Sequence, residues 1–399
     1  MKYDLLIIGS GPGGYVAAIR ASRLGKKVGV VEREELGGIC LNWGCIPTKA
    51  LLKSAQVFEY VTHASDYGIQ IEGPVKPDMK GMVERSRDVA NAMSKGVQFL
   101  FRKNKIDHIE GTGILVAPGK IEVASGDGKK TTHEASHIIL ATGARSKELP
   151  NIKQDGKKII GYREAMTLKE IPKSMLVIGS GAIGSEFAYL YNTLGCEVTL
   201  VEFLENVVPL EDEEVSKQLE RSFKKSKMKV MTEATVESVD TSGKNCKAKI
   251  KTKKGIVEAE AEVVLSAVGI TPNLENIGID TLGIELENGK VKVDAFYKTS
   301  VDGVYAIGDI VHGPALAHVA SAEGIVCVEK IFGEEPQPID YGNLPACTYT
   351  SPEVASVGLT EKQAREKGYD VKVGKFPFTA SGKASAAGHK EGFVKLIFD

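Results

Sequence analysis

Two cysteines, Cys40 and Cys45, lie five positions apart in the segment GGICLNWGCIPTK. Paired thiols can hold a metal ion, form a structural disulfide, or open and close a disulfide during a reaction. A zinc site usually needs four nitrogen or sulfur ligands in paired clusters, and no histidine lies near this pair. The other cysteines are scattered singly and are interpreted as small buried apolar side chains: Cys196, Cys246, Cys327 and Cys347.

The residues around the pair favour redox chemistry over metal binding. The neighbouring glycines leave the backbone room to approach a flat ring, and Pro47 suits the first turn of a helix. If this helix includes Cys45, Lys49 lies on the same face one turn later, where a cation and a helix N-terminus would stabilise a thiolate. Two reduced cysteines with a purely structural role remain the alternative interpretation.

The elements that must position this segment include a unit that occurs twice in the chain. Leu5–Glu32 aligns without gaps on Met175–Glu202, and twelve of the 28 paired positions are identical. Each copy has an apolar run, a glycine turn, a helical stretch and a second apolar run that ends in glutamate, which is the βαβ pattern. The predicted fold class is therefore α/β, with two Rossmann-like dinucleotide-binding domains.

The glycines and the final glutamate of each copy match a dinucleotide site. The first glycine permits a tight turn, the second lets a pyrophosphate approach the backbone, and the third lets the helix pack closely on the strand. The glutamate would accept hydrogen bonds from a ribose hydroxyl and repel a 2′-phosphate, so the second copy should bind NAD rather than NADP. The residues are Gly9, Gly11, Gly14 and Glu32 in the first copy, and Gly179, Gly181, Gly184 and Glu202 in the second.

Further apolar runs indicate additional strands. Ile138–Gly143 and Val263–Gly269 are each predicted to be a buried strand followed by a turn. Val304–Asp309 is a third such strand, and its final acid either faces the ligand crevice or caps a helix. The tail is predicted to be α+β, with strands at 346–350, 353–358, 371–378 and 391–398 and a helix at 360–367.

Length, net charge and the absence of long apolar segments set the remaining expectations. A chain of 399 residues is expected to form two or three domains. The predicted segments are 1–145, 146–270, 271–338 (the second part of the first, or central, domain) and 339–399. The net charge of −1 gives no electrostatic reason to expect a nucleic-acid or membrane partner. Because the sequence shows no signal peptide and no 18-residue apolar stretch, we expect a cytoplasmic protein.

These motifs, in this order, resemble the flavin-dependent pyridine nucleotide-disulfide oxidoreductases over nearly the whole chain. The resemblance rests on the first glycine unit, the Cys-x4-Cys segment, ATG at 141–143, GSE in the second unit, VYAIGD and LAHVASAEG. Within the family, the sequence is most similar to the members that oxidise dihydrolipoyl groups. The resemblance implies an FAD-binding domain, an NAD-binding domain and a truncated α+β interface (dimerisation) domain.

The resemblance also implies roles for individual residues. Cys40 and Cys45 would form a redox-active disulfide, and Lys49 and Glu186 would form an ion pair near the reactive edge of the flavin. The residues implied for FAD are Gly9, Gly11, Gly14, Glu32, Lys49, Gly113, Gly143, Asp309 and Ala317. The residues implied for NAD are Gly179, Gly181, Gly184, Glu202, Val236 and Gly269.

The implied reaction is the oxidation of dihydrolipoamide with NAD⁺ as acceptor, through the cysteine pair. The implied partners are the lipoyl domains of 2-oxoacid dehydrogenase acyltransferases or the glycine cleavage H protein, and the full-length chain would be a homodimer. A mercuric or glutathione-type reductase remains an alternative, although those enzymes mostly use NADPH, which Glu202 disfavours. A non-catalytic flavoprotein subunit is a further alternative.

The C-terminal part departs from the family pattern. The family's general base is a histidine in a His-Pro segment, and none of the seven histidines here precedes a proline. Only 59 residues remain from Tyr341 onward, fewer than the ~70–80 at which a core usually stands unaided. The sequence therefore predicts an incomplete interface domain, poor assembly and slow turnover of lipoamide.

Overall fold

The computed structural model describes residues 2–399 and divides the chain into two compact units. Among these residues, the first unit comprises 2–47, Ser86–Arg145 and Ile270–Tyr341. The second comprises Thr48–Arg85, Ser146–Gly269 and Gly342–Asp399.

The helices and strands follow each other in an alternating order over much of the chain. The helices are α1 (Pro12–Arg23), α2 (Gly38–Asn42), α3 (Cys45–Thr62), α4 (Met79–Lys103), α5 (Tyr162–Ala165), α6 (Ala182–Thr193), α7 (Glu213–Lys225), α8 (Ile279–Leu282), α9 (Ala317–Ile331), α10 (Glu361–Glu366) and α11 (Gly382–Ala387). Short 3₁₀ helices lie at Ala64–Tyr67, Gly308–Ile310 and Phe378–Ala380.

The strands are β1 (Lys2–Ile8), β2 (Val28–Glu32), β3 (Asp107–Glu110), β4 (Thr112–Ala117), β5 (Lys120–Ala124), β6 (Lys130–Leu140), β7 (Ala144–Ser146), β8 (Ile159–Ile160), β9 (Ser174–Ile178), β10 (Glu197–Val201), β11 (Lys229–Met231), β12 (Thr235–Asp240), β13 (Cys246–Thr252), β14 (Gly255–Ala261), β15 (Val263–Ser266), β16 (Ile270–Pro272), β17 (Leu286–Glu287), β18 (Lys290–Val291), β19 (Val304–Ala306), β20 (Ala346–Thr348), β21 (Val354–Ser356), β22 (Lys372–Pro377) and β23 (Phe393–Phe398).

The first unit contains a sheet in the order β3-β2-β1-β6-β5-β4, with β19 paired to β6 outside this path. The strands β1, β2, β3, β6 and β19 pair in parallel, whereas β4 and β5 pair antiparallel. Leu6 and Ile8 point into one core cluster, and Leu5 and Ile7 into another. Both faces of β1 are therefore buried, which explains why its sequence is a continuous apolar run.

The second unit repeats this plan in a parallel sheet with the order β11-β10-β9-β15-β8. The residues of β9 alternate in the same way, with Met175 and Val177 in one core cluster and Leu176 and Ile178 in another. An antiparallel sheet, β12-β13-β14, and the two-stranded antiparallel sheets β20-β21 and β22-β23 also belong to this unit. The predicted α/β class with two Rossmann-like units is thus confirmed.

The five predicted elements of the tail are present, and each is slightly shorter than predicted. The predicted helix at 360–367 is α10, whose N-cap hydroxyl, that of Thr360, accepts a hydrogen bond from the Gln363 N–H at 3.2 Å. The sequence did not predict α2 or α11. The division into four domain segments stays a prediction.

Candidate functional site

Cys40 and Cys45 form a disulfide. Their Cα atoms lie 4.7 Å apart. Cys40 is on the short helix α2, which follows Gly37 in a left-handed conformation (φ 99°), and Cys45 is the first residue of α3. The pairing implied by the family resemblance is confirmed, and the alternatives of a metal clip and of two reduced thiols do not describe this structure.

The loop that carries the disulfide is attached to the first glycine turn. The Gly37 N–H donates to the carbonyl of Ser10 at 3.1 Å and to its hydroxyl at 3.2 Å. A side chain at Gly38 would place its Cβ only 2.7 Å from the Cα of Gly11, so glycine is required at this close approach. The disulfide loop and the first glycine turn therefore form one connected structure.

The glutamate of each βαβ unit is held by the serine of its own glycine turn. An oxygen of Glu32 accepts from the Ser10 N–H at 2.9 Å and from its hydroxyl at 2.7 Å. Glu202 accepts from Ser180 in the same way, at 2.8 and 2.7 Å. These serines were missed by the sequence reasoning, although their identity in both copies was a signal that could have found them.

The second glycine of each copy leaves space that a ligand could fill. Gly11 and Gly181 are the N-cap residues of α1 and α6. A Cβ built at either position would meet no atom within 4 Å. Each helix N-terminus thus presents its backbone N–H groups beside open space, an arrangement that suits a phosphate.

Other predicted residues of the first unit follow the ends of its parallel strands. Gly9 follows β1, Glu32 ends β2, Gly143 lies beyond β6, and Asp309 lies beyond β19. Since these strands are parallel neighbours, the structure brings the four residues to the same edge of the sheet. The capping alternative for Asp309 is wrong, because Ile307 holds the cap position of the 3₁₀ helix there.

Two further residues implied for FAD lie on separate elements of the first unit. Gly113 is on β4, where a Cβ would come within 3.1 Å of the Val31 side chain. Ala317 is the first residue of α9, and this helix packs closely on α1: a Cβ at Gly324 would lie 2.7 Å from the Gly13 carbonyl oxygen.

A buried carboxyl group that the sequence reasoning missed, Glu323, fixes the turn that precedes Asp309. Its two oxygens accept from the Gly308 N–H at 2.6 Å and from the Tyr341 hydroxyl at 2.7 Å. The Tyr341 hydroxyl is also 2.9 Å from that of Tyr297. Burial raises the pKa of Glu323 from 4.5 to about 7 and also raises the pKa of Asp309.

The raised pKa of Glu323 predicts a pH-dependent stability. Because this pKa is higher in the folded than in the unfolded chain, protonation favours the folded state, and that contribution is lost as the pH rises through about 7. Relative to Glu323→Gln, the wild-type protein should lose about 2–3 kcal/mol of unfolding free energy between pH 4.5 and pH 8. Denaturant unfolding across this range measures the difference, and a difference that does not change with pH would contradict the prediction.

In the second unit, Lys49 and Glu186 form the ion pair that the resemblance implied. The Lys49 ammonium lies 2.8 Å from both oxygens of Glu186, whose side chain is only 5% exposed. The Tyr349 N–H donates to the same carboxylate at 2.9 Å, and the Lys49 nitrogen lies 4.6 Å from the centroid of the Tyr349 ring. Tyr349, which the sequence reasoning did not identify, therefore contacts both members of the pair.

The prediction that the scattered cysteines are buried holds for three of them and is wrong for Cys347. Cys347 is only half-buried, because it lies on the short two-stranded sheet β20-β21. Partial burial nevertheless raises the pKa of its thiol.

The residues implied for NAD divide into two groups. Gly179 follows β9, Glu202 follows β10, and Gly269 lies beyond β15, so all three are at one edge of a parallel sheet. The Val236 side chain is instead buried in the core beneath the antiparallel sheet, so only its backbone is available to a ligand.

Two further features are absent from residues 2–399. No cluster of three or more His, Cys, Asp or Glu side chains in this range is arranged to hold a metal ion. None of the helices described there has the length and apolar composition needed to cross a bilayer.

Comparisons with known proteins agree with this geometry. Residues 3–324 match the pyridine nucleotide-disulphide oxidoreductase family, and residues 344–399 match the dimerisation domain of that family. A dihydrolipoyl dehydrogenase of Rhizobium etli is 49% identical over 417 residues, which cover 100% of this chain and 86% of the relative. The dihydrolipoyl dehydrogenase of Zymomonas mobilis is 47% identical over 401 residues, covering 100% and 85%.

A solved structure, LpdA from Mycobacterium tuberculosis, has a TM-score of 0.92 and 28% sequence identity, and the match covers 100% of this chain and 86% of that one. Sequence and structure comparisons thus extend over both units and over the disulfide loop. The chain belongs to the pyridine nucleotide-disulphide oxidoreductase family.

Proposed function

We propose that this chain is a dihydrolipoyl dehydrogenase, an FAD-dependent oxidoreductase that oxidises dihydrolipoamide and reduces NAD⁺. The observation that carries the proposal is the Cys40–Cys45 disulfide, held on a loop bonded to the first of two glycine turns. A disulfide in this position offers a sulfur for a substrate dithiol to attack.

The residues present fit both dinucleotides. Each glycine turn has open space at its second glycine and a buried carboxylate for a ribose, at Glu32 in the first unit and Glu202 in the second. FAD would be held by the first turn together with Gly113, Gly143, Asp309 and Ala317. NAD would be held by the second turn together with Gly269 and the backbone of Val236.

In the first half-reaction, a dihydrolipoyl thiolate attacks Sγ of Cys40. The Sγ–Sγ bond breaks, a mixed disulfide forms at Cys40, and Cys45 leaves as a thiolate. The second lipoyl thiolate then attacks the lipoyl sulfur of the mixed disulfide, which releases oxidised lipoamide and the Cys40 thiolate. Bound FAD supplies the remaining chemistry, by accepting the electron pair from the cysteines and passing a hydride to NAD⁺.

Other side chains support this step without exchanging electrons. Cys45 is the first residue of α3, and a helix N-terminus favours the thiolate form of a cysteine. Lys49, one turn later on the same helix, would contact FAD. Glu186 and Tyr349 hold the Lys49 ammonium in one position. Glu202 favours NAD over NADP, because a buried carboxylate repels a 2′-phosphate.

The match of residues 344–399 to the family's dimerisation domain supports a homodimer. We propose that the partners that deliver the dithiol are the lipoyl domains of 2-oxoacid dehydrogenase acyltransferases or the glycine cleavage H protein. We place the reaction in the cytoplasm.

Anaerobic titration with NADH tests the proposed function. We expect one equivalent of NADH to reduce the disulfide and to produce a long-wavelength absorbance band, from the Cys45 thiolate beside oxidised flavin. NADPH, as the matched control, should give the band only at much higher concentration. Bleaching of the flavin without this band would contradict the proposal and would favour a non-catalytic flavoprotein subunit.

A further inference from the structure

The loop between the two cysteines is held from outside by one arginine, Arg87. Arg87 is on α4 and belongs, like the loop, to the first unit, although the two are far apart in the sequence. Its guanidinium donates to the backbone carbonyl of Asn42 and lies 4.5 Å from the ring centroid of Trp43. Asn42 and Trp43 are the two central residues between the sulfurs.

The contact satisfies a group that the loop cannot satisfy by itself. Asn42 is the last residue of α2, and the final carbonyl groups of a helix have no partner within that helix. The Asn42 side chain is directed back into the loop, where its amide donates to the carbonyls of Leu36 and Gly38, each at 3.0 Å. A cation at the C-terminal end of α2 also interacts favourably with the helix dipole.

The position of these residues matters once the disulfide is reduced. Reduction breaks the Sγ–Sγ bond and leaves two thiols, whose tendency to close again depends on how near the backbone keeps them. Because α2 has only five residues and Gly44 follows Trp43, the loop has little rigidity of its own. A contact from α4 to the middle of the loop would restrict its movement.

We propose that Arg87 is a positioning residue for the redox pair: by holding the Asn42 carbonyl and the Trp43 ring, it keeps the reduced sulfurs close and so favours re-formation of the disulfide. The inference rests on the proposed function, in which the pair opens and closes in each cycle. It assigns Arg87 no contact with the substrate.

An arginine suits this role better than a lysine. The planar guanidinium can donate a hydrogen bond along its edge while its face lies on an aromatic ring. The lysine ammonium keeps the charge but has no flat face. Arg87→Lys should therefore recover only part of the effect, and Trp43→Leu should reproduce part of the loss.

The test is the equilibrium between disulfide and dithiol in the FAD-loaded protein. Wild-type protein and variants are equilibrated without oxygen in mixtures of dithiothreitol and its disulfide, free thiols are alkylated, and the alkylated fraction is measured by mass spectrometry. Dithiothreitol donates two electrons and two protons to the pair and becomes a cyclic disulfide. The measurement needs neither lipoamide nor NAD⁺, so it can succeed even if the proposed function fails.

Arg87→Met should shift this equilibrium about tenfold toward the dithiol, which corresponds to about 30 mV for a two-electron couple. The double variant Arg87→Met/Trp43→Leu should add little to the shift, because both changes remove the same contact. Arg85→Met is the matched control: this guanidinium, on the same helix, donates to the Ala50 carbonyl at 2.8 Å, and its loss should leave the equilibrium unchanged.

Two outcomes would overturn the proposal. One is a folded Arg87→Met protein whose equilibrium equals that of the wild type. The other is an equal shift in Arg85→Met, which would show a general effect of altering α4. If Arg87→Met does not fold, the Arg87→Lys and Trp43→Leu variants decide the question by the same measurement.

Discussion

Replacement of Cys45 by serine is expected to abolish the reduction of NAD⁺ by dihydrolipoamide. With oxygen in place of this sulfur there is no disulfide for the substrate thiolate to attack, and no thiolate leaving group. The rate should fall on the order of 10⁴-fold or more, because the substitution removes the covalent intermediate itself and does more than remove a single contact to it. The initial rate of NADH formation from dihydrolipoamide measures the effect.

A second assay separates this chemical loss from a loss of folding. The reduction of an artificial dye by NADH requires the two dinucleotides but not the disulfide, so the Cys45→Ser protein should retain it. Cys246→Ala is the matched control, because this buried cysteine lies on β13 and takes no part in the disulfide. It should retain both activities.

Cys40→Ser should lose the dithiol reaction to the same extent but should differ in its spectrum. This variant keeps the Cys45 thiol, which we propose is the sulfur nearer the flavin. Its oxidised form should therefore show the long-wavelength band at alkaline pH, and the Cys45→Ser protein should not. Dithiol-driven NADH production in either serine variant at the wild-type rate would refute the mechanism.

The parts of this molecule that the sequence predicted best are those with strong local patterns. Each βαβ unit is predicted by a continuous apolar run, a glycine turn and a helical stretch within 28 residues, and both units occur where predicted. The helix α2 was missed because its five residues begin with glycine and have little intrinsic preference for a helix. The contacts that α2 and its flanking residues make with the disulfide, Ser10 and Arg87 all join residues outside the helix.

The contacts that complete the site could not be predicted, because they join residues distant in the sequence. Arg87 is 45 positions from Asn42, and Tyr349 is 163 positions from Glu186. No pattern in the α4 sequence distinguishes Arg87 from Arg85, which has a different partner. Only the packing of the elements decides which arginine reaches the disulfide loop.

The second prediction with a large effect concerns two glycines of the NAD turn, which should respond differently to the same substitution. A Cβ at Gly184 would lie 1.9 Å from the Gly179 carbonyl oxygen, a backbone atom that cannot move without displacing the turn or α6. A Cβ at Gly181 would meet nothing within 4 Å, and its backbone angles, φ −60° and ψ −178°, are accessible to alanine.

Gly184→Ala should therefore destabilise the protein by about 3 kcal/mol or more, as expected for overpacking against rigid backbone. Gly181→Ala should change the free energy of unfolding by less than about 1 kcal/mol, since glycine and alanine differ modestly at an N-cap. Its Cβ would instead occupy the space proposed for the pyrophosphate of NAD. The dissociation constant for NAD⁺, which binds the oxidised protein without reducing it, should rise at least about tenfold, which is about 1.4 kcal/mol.

Thermal unfolding and NAD⁺ titration of the two variants give four values that test this division. The same substitution in the first copy, Gly11→Ala, is the matched control, because it should weaken the binding of FAD and leave the affinity for NAD⁺ unchanged. A Gly181→Ala protein that binds NAD⁺ as tightly as the wild type would show that the open space at this turn does not receive the pyrophosphate. A Gly184→Ala protein of wild-type stability would show that α6 can move away from the glycine turn. The close approach of Gly184 to the Gly179 carbonyl would then not be required for stability.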